Sequence, residues 1–98
     1  MSKNLNGIIT SWNAAATRIL GYSAEEMVGS SIFKLIPEDL HSEEKAIVEQ
    51  VCAGQTIEHF ETVRLTKSGQ RLDVSLTISP VKDEQGQIIG ASKILRDI

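Results

Sequence analysis

The hydrophobic period of this chain changes at Thr56, and that change constrains the fold more than any other feature. Beyond it, Leu72, Val74, Leu76 and Ile78 alternate strictly with Asp73, Ser75, Thr77 and Ser79, the two-residue repeat of a strand with one buried face. "TIEHFETVRLT" before it and "IIGASKILRDI" after it have the same extended character, and "KSGQ" and "KDEQGQ" between them carry the glycine and polar residues of tight turns. Residues 56–98 therefore predict a three-stranded antiparallel meander, with its middle strand ending ahead of Pro80. One face of such a meander is apolar and must be covered. The cover has to come from residues 1–55.

Those residues read as short, individually stopped pieces. "GIITSW", Gly7 to Trp12, is a strand entered from the turn "NLNG", with Ser2 to Asn4 as the stub of a partner strand. Asn13 is placed to cap "AAATRIL", because its side-chain oxygen can accept an orphan backbone N–H, and Gly21 is the left-handed stop. Ser23 and Glu26 make a capping box for a second short helix that Gly29 stops, and "SIFKLIP" is an apolar turn ended by its proline. The longer helix spans Leu40 to Ala53, with Ile47, Val48, Val51 and Cys52 as its apolar face and acids opposite. The fold class is α+β, an antiparallel sheet with several short helices and one longer helix on one face.

Charge and cysteine content exclude whole classes of function. The 13 acidic and 10 basic side chains give a net charge of −3 and are scattered along the chain, so neither a nucleic-acid stripe nor a polybasic membrane patch is expected. The single cysteine forbids an internal disulfide and fits a reducing compartment. No apolar run reaches the ~18 residues of a membrane span, and the expected location is cytoplasmic. At 98 residues the chain is one domain.

Five stretches then carry a resemblance over nearly the whole chain: "GIITSWNAAATRILGYSAEEMVG" at Gly7 to Gly29, "LIPEDL" at Leu35 to Leu40, "TKSGQ" at Thr66 to Gln70, "SPVKDEQGQIIG" at Ser79 to Gly90, and "RDI" at Arg96 to Ile98. In this order and spacing they resemble a PAS domain, the sensory module of bacterial signalling proteins. The resemblance implies a five-stranded sheet of spatial order 2-1-5-4-3, with the helices folded over one face to leave a pocket. It also implies a single domain over residues 1–98, cut from a longer multidomain chain, with a truncated first strand. A shortened first strand would leave the last strand open to a partner chain or to swapping.

The resemblance also bears on what the pocket could hold. Haem-holding relatives carry an axial histidine seven residues after the proline of the "IP" motif; that position here is Glu44, while His41, at the fourth, reads as a solvated first-turn residue. Haem is disfavoured accordingly. Light-sensing relatives use a cysteine in a "GxNCRFLQ" run to attack flavin, whereas Cys52 lies in "EQVCAG" and reads as a small core hydrophobe. A covalent flavin adduct is disfavoured, flavin held without one stays open, and the cofactor stays unassigned. No metal site and no catalytic residue is expected, because the acids fall in caps, turns and a helix face. The parent protein could still carry a histidine kinase or a diguanylate cyclase.

Alternation turns Val74, Leu76 and Ile78 towards the helices, opposed by Ile19, Ile47 and Val51, either as plain core or as the lining of a cavity. Met27, Leu35, Phe60, Ala91 and Leu95 complete the candidate lining. Lys93 shares its face with Ala91 and Leu95. If that face is inward, the ammonium requires an anionic partner, either a small carboxylate ligand or Glu61 across the sheet; if a bulge breaks the alternation, Lys93 is a surface residue. His59 reads as a solvated strand residue, and Trp12 as packed in the core.

Two functions remain. In one, a small ligand in the pocket shifts the strands and helices, and the change leaves through the C-terminus to an effector in the same chain. The resemblance supports this, since "RDI" opens the family's "D-I-T" signature, with Asp97 anchoring the junction and Ile98 beginning the output. In the alternative, the cavity is filled by its own side chains and the domain relays signals as a dimer. A homodimer is expected; Asp73, Ser75, Thr77 and Ser79 make at least one strand polar outside, which weighs against pairing through the sheet face and leaves the edges or the cut N-terminus.

Overall fold

A computed structural model describes all of residues 1–98. The meander forms β3 (Ile57–Leu65), β4 (Arg71–Lys82) and β5 (Ile88–Asp97). Ahead of it come β1 (Ser2–Asn4), β2 (Ile9–Ser11), α1 (Ala14–Leu20), α2 (Ala24–Met27), 3-10 turns at Ile32–Leu35 and Glu38–Leu40, and α3 (His41–Cys52). The strands make one antiparallel sheet of order β2-β1-β5-β4-β3, the order the resemblance implies. The first strand is three residues long and still pairs on both sides, with β2 and with β5.

β4 does not stop at Pro80 but runs to Lys82. The backbone geometry gives the reason. Lys93 turns both its N–H and its C=O to Met1, so its partner Ile78 and, two residues on, Pro80 face away from β5. Pairing with β3 ends at Ile57 opposite Ile78, so the missing N–H of Pro80 falls on an edge where no bond is lost.

Local signals in the first half act as their chemistry dictates. The Asn13 side chain accepts the Ala16 N–H at 2.9 Å, and Gly21, at φ 86°, donates its N–H to Thr17. Ser23 and Glu26 exchange both bonds of the capping box. Glu26 also holds Lys67 at 2.7 Å, and that hydrogen bond, with the Ser23 N–H, holds its carboxyl down at about 2. α2 ends on Val28, and Gly29 follows in a turn at φ 92°.

Fifteen buried apolar side chains form one core. Ile9, Ala16, Leu20, Met27, Ile32, Leu35, Ile36, Ile47 and Val51 lie in it with Val74, Leu76, Ile78, Ala91 and Leu95 of the sheet. Trp12 joins them, its indole N–H shared between Thr17 Oγ1 and the Tyr22 carbonyl, each at 3.0 Å.

Candidate functional site

Register decides which side chains face the helices. Leu76 opposes Leu95, Ile78 opposes Lys93, and Lys3 opposes Ala91; on the other side Phe60, Thr62 and Arg64 oppose Leu76, Val74 and Leu72. Paired residues share a face, so Lys3, Lys93 and Arg64 all project inward from a sheet otherwise lined with apolar residues. All three are 2–3 % exposed. Three buried cations need anions, because an unpaired charge in an apolar interior is costly.

The anions come from the start of α3. Both carboxylate oxygens of Glu44, itself 2 % exposed, accept from Lys93 Nζ at 2.9 Å. Lys3 Nζ lies 3.7 Å from the same carboxylate and donates to the Asn4 carbonyl at 3.2 Å. The neighbouring Glu43 turns to β3, where its Oε2 accepts from Thr62 Oγ1 at 2.7 Å and its Oε1 lies 3.0 Å from Arg64 NH1. That last contact is an ion pair without the alignment of a hydrogen bond. Arg64 NH1 donates instead to the Val63 carbonyl at 2.8 Å, and its NH2 has no partner.

Burial pushes the Lys93 ammonium down to about 8. Glu44 opposes the shift, and the positive charges of Arg64 and Lys3 add to it. An unfolded chain keeps this proton up to the ordinary value of 10.5 while the folded chain releases it near 8. Between those values the unfolded state binds more protons, so folding stability rises with pH. The contribution is complete above the unfolded value and is lost as pH falls through about 8. Unfolding free energies from urea denaturation at pH 7 to 10 should therefore climb in the wild type relative to Lys93→Met, by up to about 3 kcal/mol. Parallel pH profiles of the two proteins would contradict the shift.

Of the residues singled out by sequence, Met27, Leu35, Ile47, Val51, Val74, Leu76, Ile78, Ala91 and Leu95 are buried in the one core and Lys93 is buried as well, whereas Ile19 and Phe60 are half-buried against that core. Asp97 and Ile98 are exposed at the end of the sheet, Asp97 opposite Val74. Four expectations are corrected. Glu61 is not the partner of Lys93, since it pairs with Ser75 on the outer face and is exposed. Cys52 is exposed rather than in the core: the buried stripe of α3 runs Glu44, Ile47, Val51, and the next position lies about 100° around the helix. The acids of α3 do not all lie opposite its apolar face, because Glu44 belongs to that stripe. His41 is half-buried, with Nε2 3.1 Å from the Ile36 carbonyl and its ring 4.8 Å from that of Phe33. His59 is exposed as expected, but at φ 52° in a bulge that lets Ile57 and Phe60 both face inward.

Three residues of the cluster, Lys3, Glu43 and Arg64, are absent from the expectations drawn from the sequence. Arg64 carries a signal in its phase, two and four positions from the inward-facing Thr62 and Phe60, and Lys3 and Glu43 carry none; Glu44 likewise stands three and seven from Ile47 and Val51. The cleft beside this cluster, about 440 Å³, opens between the β1–β2 turn and α3. Lys3 and Glu44 form its floor, with Leu5, Phe33 and Val48 among its walls. No helix is long and apolar enough to cross a membrane.

The sequence model of a family described as "PAS fold" matches residues 1–98. The two-component system protein A of Emericella nidulans is 32 % identical over 93 residues, covering 94 % of this chain and 14 % of that protein. The crystal structure of the PAS domain of a Colwellia psychrerythraea protein superposes with a TM-score of 0.86 at 29 % identity, covering 99 % of this chain and 82 % of that one. The Vibrio cholerae VqmA dimer shares the fold, with a TM-score of 0.78 at 21 % identity over 99 % of this chain and 44 % of that one.

Proposed function

The chain belongs to the PAS family, and on that premise we propose that it is the sensory or regulatory module of a signal-transduction protein, binding a small ligand between helices and sheet and relaying the change to an effector in the same chain. The observation that carries this reading is the buried charge cluster under α3. A core needing only stability would be cheaper to build from apolar residues, whereas an array of oriented cations and carboxylates is what a site uses to recognise a polar ligand. Lys93 stands four residues before Asp97 on β5, so a change at the cluster has a short, hydrogen-bonded route to the C-terminal end. The relation to a two-component system protein, of which this chain spans 14 %, supports a place in a longer cytoplasmic protein with its own output domain.

The second reading, a ligand-free dimerisation and relay module, is favoured by a different observation. The inner face is filled by its own side chains, with Lys93 and Glu44 among the largest fully buried ones. VqmA, of the same fold, is described as a dimer and also with DPO bound, so dimerisation and ligand binding both occur on this fold.

Native mass spectrometry of the freshly purified protein, repeated under denaturing conditions, separates the two. An excess mass that disappears on unfolding is the result expected for a sensor. A bare dimer would move the assignment to the relay module.

A further inference from the structure

We propose that the cleft between the β1–β2 turn and α3 binds a small monocarboxylate with an apolar body, seated with its carboxylate on Lys3. The inference rests on the sensory reading and adds to it a site and a ligand class. It starts from the charges beneath α3. Lys93 has both oxygens of Glu44 at 2.9 Å, and Arg64 has Glu43 at 3.0 Å. Lys3 is the cation left over. Its ammonium lies 3.7 Å from a carboxylate already engaged by Lys93 and makes one hydrogen bond, at 3.2 Å, to the carbonyl of the next residue. An ammonium has three protons to donate, and this one sits on a residue 3 % exposed.

The excess cation lies on the floor of a cleft rather than in sealed core. That cleft has a volume of about 440 Å³, within the ordinary range for small-ligand sites. Two of the six exposed large hydrophobic side chains, Leu5 and Phe33, stand on its walls, 41 % and 37 % exposed, with Val48 of α3. At the rim, exposed Lys45 and Glu49 offset one another. One uncompensated positive charge at the bottom of an apolar-walled cleft matches a ligand with one negative charge and a hydrocarbon body. A dianion would bring a second charge that nothing in the cleft neutralises.

A bound carboxylate would complete the count as three cations against three anions. It would also pull on β1, which is hydrogen-bonded to β5 through residues 90–92, and so on the strand that carries Lys93.

The test uses sodium hexanoate and its uncharged counterpart hexanamide at pH 7, by calorimetry and by amide shifts in two-dimensional NMR. Hexanoate should bind saturably and shift the amides of Leu5, Asn6, Phe33 and Val48. Hexanamide should bind about ten- to a hundredfold more weakly, the worth of a hydrogen bond to a charged group. Lys3→Met should weaken hexanoate by a similar factor. Because it removes the leftover cation and leaves both remaining ion pairs in place, it should stay folded. Val48→Glu, a half-buried position of α3, should also abolish binding by closing the wall and repelling the carboxylate. Equal binding of acid and amide, unaltered affinity in Lys3→Met, or no hexanoate binding at all would overturn the site. A different ligand that leaves with the protein in native mass spectrometry would uphold the sensory reading while this proposal falls.

Discussion

Replacing Glu44 by leucine should lower folding stability by about 3–5 kcal/mol at pH 7, a large share of the 5–15 kcal/mol that a domain of this kind ordinarily has. The substitution leaves the volume of the site nearly filled, so the loss is electrostatic. With Glu44 gone, Lys93 keeps its burial and its two neighbouring cations, Lys3 and Arg64, and loses the one group that holds its proton in place. Either the ammonium gives up its proton or the region opens to water. Lys93→Met should cost less, because Glu44 keeps Lys3 at 3.7 Å as a residual partner. The double variant should recover most of the loss, since well-packed apolar residues replace buried ion pairs at little cost and sometimes with gain. The measurement is a double-mutant cycle by urea denaturation, with an expected coupling of at least about 1.5 kcal/mol. Additive single effects would show that Lys93 and Glu44 do not meet in solution.

The same cluster shows where a sequence can be read and where it cannot. Strand β4 was legible because its period of two is local: each of Leu72, Val74, Leu76 and Ile78 has a polar neighbour on both sides. The caps at Asn13 and Ser23 were legible for the same reason, since each satisfies a donor three residues away. Strand β3 was legible as a strand but not in its phase, because a bulge at His59, in a left-handed conformation, turns both Ile57 and Phe60 inward, and no glycine marks the place. Lys93 could be placed by counting from Ala91 and Leu95, but its partner could not. Glu44 stands 49 positions away in "HSEEKA", and among adjacent acids only the stripe it shares with Ile47 and Val51 separates the buried one from the solvated ones. Arg64 and Lys3 were passed over because charged residues in strands are read as surface, and only register against Leu72 and Ala91 shows them inward.

Gly90→Ala should destabilise the protein by about 2–4 kcal/mol, an overpacking cost at the upper end because backbone, not a movable side chain, is in the way. A Cβ on Gly90 would overlap the carbonyl oxygen of Lys3 and crowd the Lys3 carbonyl carbon and Asn4 Cα at 3.2 and 3.3 Å. Rotamer changes relieve none of these contacts. β1 has only three residues, and it pairs with β5 through Ser2, Lys3 and Asn4, so displacing its middle carbonyl should release the whole strand. The damage is then expected to be local before it is global. Amide exchange should accelerate first at Lys93, whose N–H is bonded to Met1, while Leu76 and Ile78 of β4 keep their protection until the core unfolds. Release of β1 also withdraws Lys3 from beneath α3, so hexanoate binding should disappear in this variant although no groove side chain has changed. Wild-type protection at Lys93 together with wild-type stability would mean that β1 is not seated on β5 in solution. Fast exchange throughout β4 would instead make β1 part of one cooperative unit with the core, because the three-residue strand carries Lys3 into the charge cluster as well as closing the sheet.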